Sequence, residues 1–202
     1  MGTCDIDLVN ELDSKKIKEY IDTINSKDFP VVSDCDKKMI EKIEEAAKKG
    51  DSIGGICQTV ILGLNVGVGD PYFSSIESKI SEAIFGIGAI KGIEFGLGFD
   101  FKNHYGSEVL DEYIVKDDIV CTNHNYNGGI NGGISNGMPI VFNTVIKPTP
   151  TIAKEVNTVN LDTNKEEKMV VTGRHDPAII RRIAPVITSL VALVVYDLIK
   201  EK

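Results

Sequence analysis

Basic residues are scarce in this sequence relative to acidic ones. Its 202 residues include 22 Lys and Arg against 30 Asp and Glu, which gives a formal net charge of -8 at pH 7. Binding to nucleic acid or to an anionic membrane requires a broad cationic face, and this composition argues against one. Any site for an anionic ligand must therefore be local.

Cysteine is also scarce, and no two cysteines form a CxxC pair. Cys4, Cys35, Cys57 and Cys121 are far apart in the sequence, and the N-terminus lacks the pattern of a signal peptide. We therefore expect reduced, buried thiols in a cytoplasmic protein, and we predict no metal site.

No apolar run in the sequence reaches the length of a membrane span. The longest, residues 183–195, covers about 13 residues, and Pro185, Thr188 and Ser189 interrupt it. A helical span needs ~20 predominantly apolar residues. The run predicts a buried helix instead.

The pattern of apolar residues predicts a single domain over residues 1–202 that mixes helices and strands. Predicted helices cover 10–25, 36–49 and 73–85, and predicted strands cover 52–68, 93–101 and 139–146. Because Pro148 and Pro150 cannot donate ladder hydrogen bonds, the chain must leave the sheet or follow its edge there. The charged stretch near residue 164 predicts an exposed hairpin tip.

The stretch TGRHDPAIIRRIAPV, residues 172–186, concentrates positive charge. Asp176, directly before a proline, predicts the N-cap of a helix. Arg174, Arg181 and Arg182 then crowd the first turns of that helix, where the helix dipole disfavours cations. A bound phosphate or carboxylate would compensate for them. Ion pairs with acidic side chains of the same chain would do so equally well, and both alternatives stay open.

Three further segments have a composition suited to ligand binding. NYNGGINGGISNGMPI at 125–140 lacks both GxGxxG and the ending of a phosphate-binding P-loop, but the apolar strand after it favours glycines anchored to a sheet over a free linker. KPTPTI at 147–152 offers a cation and two hydroxyls, although an edge strand with a surface lysine explains it too. GIGAIKG at 86–92 predicts a helix C-terminus and turn.

In their order along the chain, GIGAIKGIEFGLGF, NGGINGGISNGMPI, KPTPTI and GRHDPAIIRRIAPV closely resemble chorismate synthase. KKGDSIGG at 48–55 and HYGSEVLDE at 104–112 resemble that family as well, so the resemblance covers nearly the whole chain. It implies an α+β sandwich of antiparallel sheets and helices, assembled as a homotetramer.

The resemblance also implies an enzyme of the shikimate pathway of aromatic amino acid biosynthesis. The family converts 5-enolpyruvylshikimate 3-phosphate to chorismate and phosphate by an anti-1,4-elimination. It requires reduced FMN, which lends electron density transiently and takes up the C6 proton without net redox change, and the family is associated with NADP.

Residue by residue, the resemblance implies a set of cofactor contacts and two further roles. The FMN contacts fall on Gly88, Ala89, Gly132, Lys147, Pro148, Thr149, Pro150, Thr151 and Arg174. Asp176 receives the catalytic role of helping the flavin N5 handle its proton. Arg182 receives a role in binding the anionic substrate.

The sequence departs from the family in places. GLGF at 96–99 replaces GDGF, NYNGG replaces NNAGG, and KPTPT replaces KPTSS with loss of hydroxyl donors to a flavin. More importantly, His104, His124 and His175 are its only histidines, and none stands in a GESHG-like or RPGHAD-like segment of the kind that carries the family's catalytic histidines. The basic RSSARE-like segment is absent too.

The sequence thus resembles the C-terminal part of the family. We expect the chain alone to be inactive, to require the N-terminal part in trans, and to expose apolar surface and unpaired strand edges. Two alternatives stay open: a non-catalytic flavin-binding, anion-binding or assembly module of the same fold, and an unrelated anion-binding domain with similar motifs.

Overall fold

A computed structural model describes residues 6–27, 29 and 31–200. The helices are α1 (Ser14–Asn25), α2 (Asp36–Lys48), α3 (Ile76–Phe85) and α4 (Ile180–Lys200). The strands are β1 (Gly55–Ile61), β2 (Ile90–Phe95), β3 (Tyr113–Lys116), β4 (Ile119–Thr122), β5 (Ile130–Asn131), β6 (Ile134–Ser135), β7 (Ile140–Ile146), β8 (Glu155–Asn160) and β9 (Lys165–Val170). Two short 3-10 helices, Gly98–Asn103 and Gly106–Glu108, follow β2.

The central element is an antiparallel sheet of three strands in the order β1, β7, β2. The apolar sequence of β7 suits the middle position, where both neighbours pair with it: Val60 lies opposite Val141, and Phe95 lies opposite Phe142. The other strands form three separate antiparallel hairpins, β3–β4, β5–β6 and β8–β9. This arrangement confirms the predicted α+β class of antiparallel sheets and helices.

Helices α3 and α4 cover one face of the three-stranded sheet. Ile76, Ile80 and Ile84 recur every fourth residue of α3, lie on one side of the helix and are fully buried. From α4, Ile183, Ile187, Val191 and Leu198 join the same core, together with Ile140, Phe142 and Ile146 of β7. A side-chain cap at Ser75, which accepts a hydrogen bond from the Ser78 N–H, begins α3.

The opposite face of the sheet carries a row of polar side chains. The Gln58 Nε2 donates to the Asn143 Oδ1 at 3.0 Å, and the Asn143 Nδ2 donates to the Glu94 Oε1 at 3.2 Å. The Gln58 Oε1 accepts a hydrogen bond from the Leu8 N–H at 2.9 Å. The N-terminal segment therefore lies against this face.

Several sequence predictions are confirmed. Helices α1, α2 and α3 lie within the predicted ranges, β7 ends at Ile146 just before the proline-containing segment, and residues 161–164 form the tip of the β8–β9 hairpin. The expected unpaired edges are present as well: within the described residues, β1 and β2 each pair on one side.

Two local predictions are wrong. Residues 98–101, expected to continue a strand, belong instead to the 3-10 helix Gly98–Asn103, because Gly96 and Gly98 adopt positive φ values and turn the chain out of the sheet. Asp176 is not a helix N-cap: α4 begins only at Ile180. Its Oδ1 instead accepts a hydrogen bond from the Ala178 N–H at 3.0 Å, in the turn before the helix.

Helix α4 is longer than the apolar run in the sequence suggested. It spans 21 residues, includes Pro185, and is the one helix in the described part of the chain with the length and composition to cross a membrane. One side is buried in the core, as predicted. Its other side is exposed, with Val186, Leu193 and Tyr196 among the exposed large apolar residues.

Candidate functional site

Three of the sequence segments singled out above meet at the end of the sheet where β7 finishes. The Lys147 N–H donates to the Ala89 carbonyl at 2.9 Å, which joins KPTPTI to GIGAIKG. On the other side, the Ser52 hydroxyl donates to the Thr149 carbonyl at 2.6 Å. The Ile53 N–H donates to the Pro177 carbonyl at 2.8 Å and joins GRHDP to the same end.

Gly54 explains why these segments pack so closely. A Cβ at this position would overlap the carbonyl oxygen of Ile146 and would lie 3.1 Å from both the Lys147 carbonyl carbon and the Pro148 Cδ. All three neighbours are backbone or ring atoms, which have little freedom to move. Only glycine lets the chain before β1 lie directly against the chain after β7.

Ala89 has a strained backbone at this end of the sheet. Its φ is 74°, in the left-handed region that residues with a Cβ rarely adopt. Such strain costs on the order of 1–3 kcal/mol and concentrates at binding sites. The neighbouring Gly88 has open space around it, since a Cβ there would meet no atom within 4 Å. The pair thus forms an accessible, rigidly held turn.

The arginines of GRHDPAIIRR were expected either to bind an external anion or to form ion pairs within the chain, and the structure shows different surroundings for each of them. The Arg182 Nε lies 3.3 Å from the Asp176 Oδ2, so acidic side chains of the chain itself do neutralise part of the positive charge. The Arg181 guanidinium lies over the Phe29 ring, 5.3 Å from its centroid. Arg174 is exposed, and none of the ion pairs among the described residues involves it. Of the three, Arg174 is the one left available to an external anion.

The strip after β7 also contains polar groups without partners. The Thr149 Oγ1 is buried and has no hydrogen-bond partner among the described residues. Lys147 is half-buried, and its ammonium takes part in none of the described ion pairs. A buried hydroxyl without a partner is costly, so this strip is suited to a polar ligand that would satisfy it.

Gly132 lies at the other end of the sheet. It belongs to the tight β5–β6 hairpin, where the neighbouring Gly133 carbonyl accepts the Ile76 N–H at 3.0 Å at the start of α3. This hairpin precedes the first residue of β7, whereas Lys147 follows its last, and seven residues of strand span about 20 Å. The structure therefore groups Gly88, Ala89, Lys147, Pro148, Thr149, Pro150, Thr151, Arg174, Asp176 and Arg182 at one end and places Gly132 apart from them.

Asp51 and Ser52 are further candidate site residues; they lie in the segment KKGDSIGG, to which the sequence had assigned no role. The Asp51 Oδ2 lies 2.5 Å from the Lys154 Nζ, and the Gly50 carbonyl accepts the Ala153 N–H at 2.9 Å, so the chain directly after KPTPTI is fixed. The Lys154 ammonium, helped by the Ser52 N–H, holds the pKa of the Asp51 carboxyl below its usual value. The sequence did contain a pattern that could have indicated a close-packed polar turn here: two small polar residues and a GG pair stand at the start of a strand rich in β-branched residues.

Asp111 has a similar positioning role at the start of the glycine-rich segment. One of its carboxylate oxygens accepts the Tyr126 N–H at 2.7 Å, and the other accepts the Asn127 N–H and the Asn127 Nδ2, each at 2.9 Å. The segment is therefore held in place before its first glycine, as the strand after it suggested, and is not a free linker.

Comparisons with known proteins agree with this geometry. The family model described as chorismate synthase matches residues 5–199. A chorismate synthase from Methanococcus maripaludis is 45% identical over 161 residues, which are 80% of this chain and 43% of that protein. One from Pyrococcus abyssi is 44% identical over 161 residues, covering 80% of this chain and 45% of its own length.

A solved structure has the same fold. The match to a crystal structure of chorismate synthase has a TM-score of 0.78 at 26% identity, and it covers 98% of this chain and 52% of that one. The chain thus spans about half the length of the relatives it matches, and the interpretation as an unrelated anion-binding domain is excluded. By sequence and by fold, the chain belongs to the chorismate synthase family.

Proposed function

We propose that this chain forms, as one domain, the C-terminal half of a chorismate synthase that eliminates phosphate from 5-enolpyruvylshikimate 3-phosphate to give chorismate. In this 1,4-elimination the C3–O bond to phosphate and the C6–H bond break, and a second ring double bond forms. The observation that carries the proposal is the convergence of GIGAIKG, KPTPTI and GRHDP at one end of the sheet.

The groups at that end are suited to reduced flavin mononucleotide (FMN). The Gly88–Ala89 turn has open space beside it, the Thr149 hydroxyl lacks a partner, and Arg174 is free of ion pairs within the described residues. A flat ring needs close backbone approach, and a phosphate needs cations and polar hydrogens. When bound, reduced FMN would supply transient electron density and accept the C6 proton.

Each residue of the site then has a distinct task. Lys147 and Arg174 bind oxyanions, and the turn at Ala89 fixes one wall because its carbonyl holds the Lys147 N–H. With FMN bound, Asp176 would handle a proton at the flavin N5. Arg182 and the Ala178 N–H orient that carboxylate. Arg182 can bind an anionic substrate only if it gives up its ion pair with Asp176. Such an exchange is sterically open to it, because its side chain is largely exposed.

The chain alone should lack activity. Within the described residues no histidine lies at the Lys147 end apart from His175, whose Nε2 lies 2.9 Å from the Val171 carbonyl. Proton transfer to and from the substrate therefore needs groups from the rest of the fold. We place the assembled enzyme in the cytoplasm as a homotetramer that contains both halves.

A complementation experiment tests the proposal. In a strain without chorismate synthase, this chain alone should not restore growth on medium free of aromatic amino acids. Co-expression with the N-terminal half of the Methanococcus maripaludis enzyme should restore it, and Asp176→Asn should abolish the rescue. Growth with this chain alone would contradict the division of the site between two halves.

Titration with FMN separates the proposal from the non-catalytic alternative. Quenching of flavin fluorescence by this chain, weakened in Arg174→Met, supports a site contributed by these segments. If FMN binds but co-expression of both halves does not restore growth, the result would instead favour a flavin-binding module without catalysis.

A further inference from the structure

Three Asn-Gly pairs occur in the glycine-rich segment, at residues 127–128, 131–132 and 136–137. In an Asn-Gly pair the backbone nitrogen of the glycine can attack the side-chain Cγ of the asparagine, since glycine has no Cβ to hinder the approach. The unfolded sequence offers this reaction at all three pairs. The fold surrounds each pair differently and can therefore select one of them.

The pair Asn127–Gly128 is held at both ends. The Asn127 Nδ2 donates to the Asp111 Oδ2 at 2.9 Å, and the Gly128 N–H donates to the Asn125 carbonyl at 2.9 Å. A hydrogen bond to a carboxylate is charge-assisted and therefore strong. Gly128 is also buried, and a Cβ on it would lie 2.5 Å from the Gly96 nitrogen. The two reacting groups cannot approach each other without the loss of these contacts.

The pair Asn136–Gly137 is held at its asparagine. The Asn136 Oδ1 accepts the Met138 N–H at 3.0 Å, and the Asn136 Nδ2 donates to the Asn131 Oδ1 at 2.6 Å. Its glycine also has a close neighbour, because a Cβ on Gly137 would lie 3.0 Å from the Val66 Cγ2. Both ends of the amide would have to give up hydrogen bonds before the glycine nitrogen could reach Cγ.

The pair Asn131–Gly132 is the least restrained. Both residues are exposed, Asn131 ends the two-residue strand β5, and Gly132 begins the turn to β6. Among the described residues, neither the Gly132 N–H nor the Asn131 Nδ2 donates a hydrogen bond, and a Cβ on Gly132 would meet no atom within 4 Å. Exposed loop tips open locally at a low cost in free energy. The Asn131 Oδ1 accepts the Asn136 Nδ2, which polarises the carbonyl and makes Cγ more susceptible to attack.

We propose that Asn131–Gly132 is a site of covalent self-modification, which converts Asn131 to aspartate or isoaspartate. The Gly132 nitrogen forms a bond to the Asn131 Cγ and gives up its proton, the Cγ–Nδ2 bond breaks, and ammonia leaves with that proton. Water then opens the resulting cyclic imide at one of its two carbonyls. One opening restores the ordinary backbone with an aspartate, and the other places the side-chain methylene in the backbone as isoaspartate. The reaction consumes one water and needs no oxidant or reductant.

The modification should change the hairpin tip and leave the domain folded. Both products have a carboxyl group that is ionised at neutral pH, so each modified chain gains one negative charge. The aspartate can still accept the Asn136 Nδ2. The base of the hairpin is held separately, because the Ser135 Oγ accepts the Val68 N–H at 2.9 Å and the Gly133 carbonyl accepts the Ile76 N–H at 3.0 Å.

Peptide mapping of the folded chain tests the proposal. The whole chain is incubated at mildly alkaline pH in water labelled with heavy oxygen, and tandem mass spectrometry locates the label. An isoaspartyl methyltransferase with S-adenosylmethionine serves as the probe for isoaspartate. We expect Asn131 to react at least about tenfold faster than Asn127, which corresponds to a barrier lower by about 1.4 kcal/mol, with Asn136 between them.

Asn131→Gln is the matched control. Glutamine keeps the amide but would have to close a larger ring, which forms more slowly, so this variant should keep its Tm and lose the fastest-reacting site. Incubation in urea separates the fold from the local sequence, because all three pairs should then react at similar rates.

Three outcomes would overturn the proposal. One is a reaction at Asn127 or Asn136 as fast as that at Asn131 in the folded chain, and another is the absence of label at Asn131. The third is a tenfold preference for Asn131 that persists in urea, because the local sequence and not the fold would then set the rates.

Discussion

Replacement of Gly54 by alanine should destabilise the end of the sheet where the site lies. The added methyl group would overlap the Ile146 carbonyl oxygen and press on Lys147 and Pro148 from 3.1 Å. Overpacking of this kind costs about 1–3 kcal/mol. In a domain of this size each kcal/mol lowers Tm by about 2–4 °C, so we expect a loss of about 2–12 °C.

Circular dichroism during heating measures this change, and two other glycines serve as controls. A Cβ on Gly106 or on Gly88 would meet no atom within 4 Å, and neither glycine has a positive φ. Gly106→Ala should stay within about 0.5 kcal/mol of the unmodified chain. Gly88→Ala should also keep its Tm but weaken FMN binding, since its methyl group would enter the open space beside Ala89. Equal Tm values for Gly54→Ala and Gly106→Ala would refute the packing argument.

Three further predictions concern polar groups. Because the Lys154 ammonium lowers the pKa of Asp51 in the folded state, the pair contributes stability above the ordinary carboxyl pKa, and this contribution disappears as the pH falls through the lowered value. The difference in denaturation midpoint between the unmodified chain and Asp51→Asn should therefore be present at pH 7 and should shrink as the pH falls below the ordinary carboxyl pKa. Ser135→Ala should cost about 1–3 kcal/mol in urea unfolding, because the buried Ser135 hydroxyl accepts the Val68 N–H at 2.9 Å and its loss leaves that donor unpaired. Burial raises the pKa of the Cys57 thiol, so iodoacetamide should modify Cys57 much more slowly in the folded than in the unfolded chain, as peptide mass mapping can follow.

The sequence allowed the main helices to be predicted because their periodicity is a local property. In α3, isoleucines recur at positions 76, 80 and 84, and Gly86 follows the last turn. The exit of the chain after Ile146 was predictable for the same reason, since the prolines at 148 and 150 act on their own backbone. The family resemblance then supplied the chemistry that composition had left open at the arginines.

Features that depend on distant residues could not be predicted. The β3–β4 hairpin was missed, since no strand was predicted between residues 101 and 139, although its turn at Asp117 and Asp118 has both φ values positive, as tight hairpins require. Gly132 and Lys147 lie at opposite ends of the sheet because β7 runs the length of the sheet between them, and the sequence alone does not show how β7 is placed. The ion pair between Arg182 and Asp176 was one of two open possibilities, which only the relative positions of the two side chains could distinguish.

The strand order has a consequence for the time at which the sheet can form during synthesis. β1 and β2 both precede β7 in the chain, yet neither pairs with the other, and β7 lies between them. Both strands must therefore wait on the emerging polypeptide until residue 146 has left the ribosome, with their apolar faces unprotected meanwhile. At 5–20 residues per second the interval between β1 and β7 lasts on the order of seconds. Slow release of the last third of the chain should favour aggregation, and a chaperone that binds extended apolar segments would act in this interval.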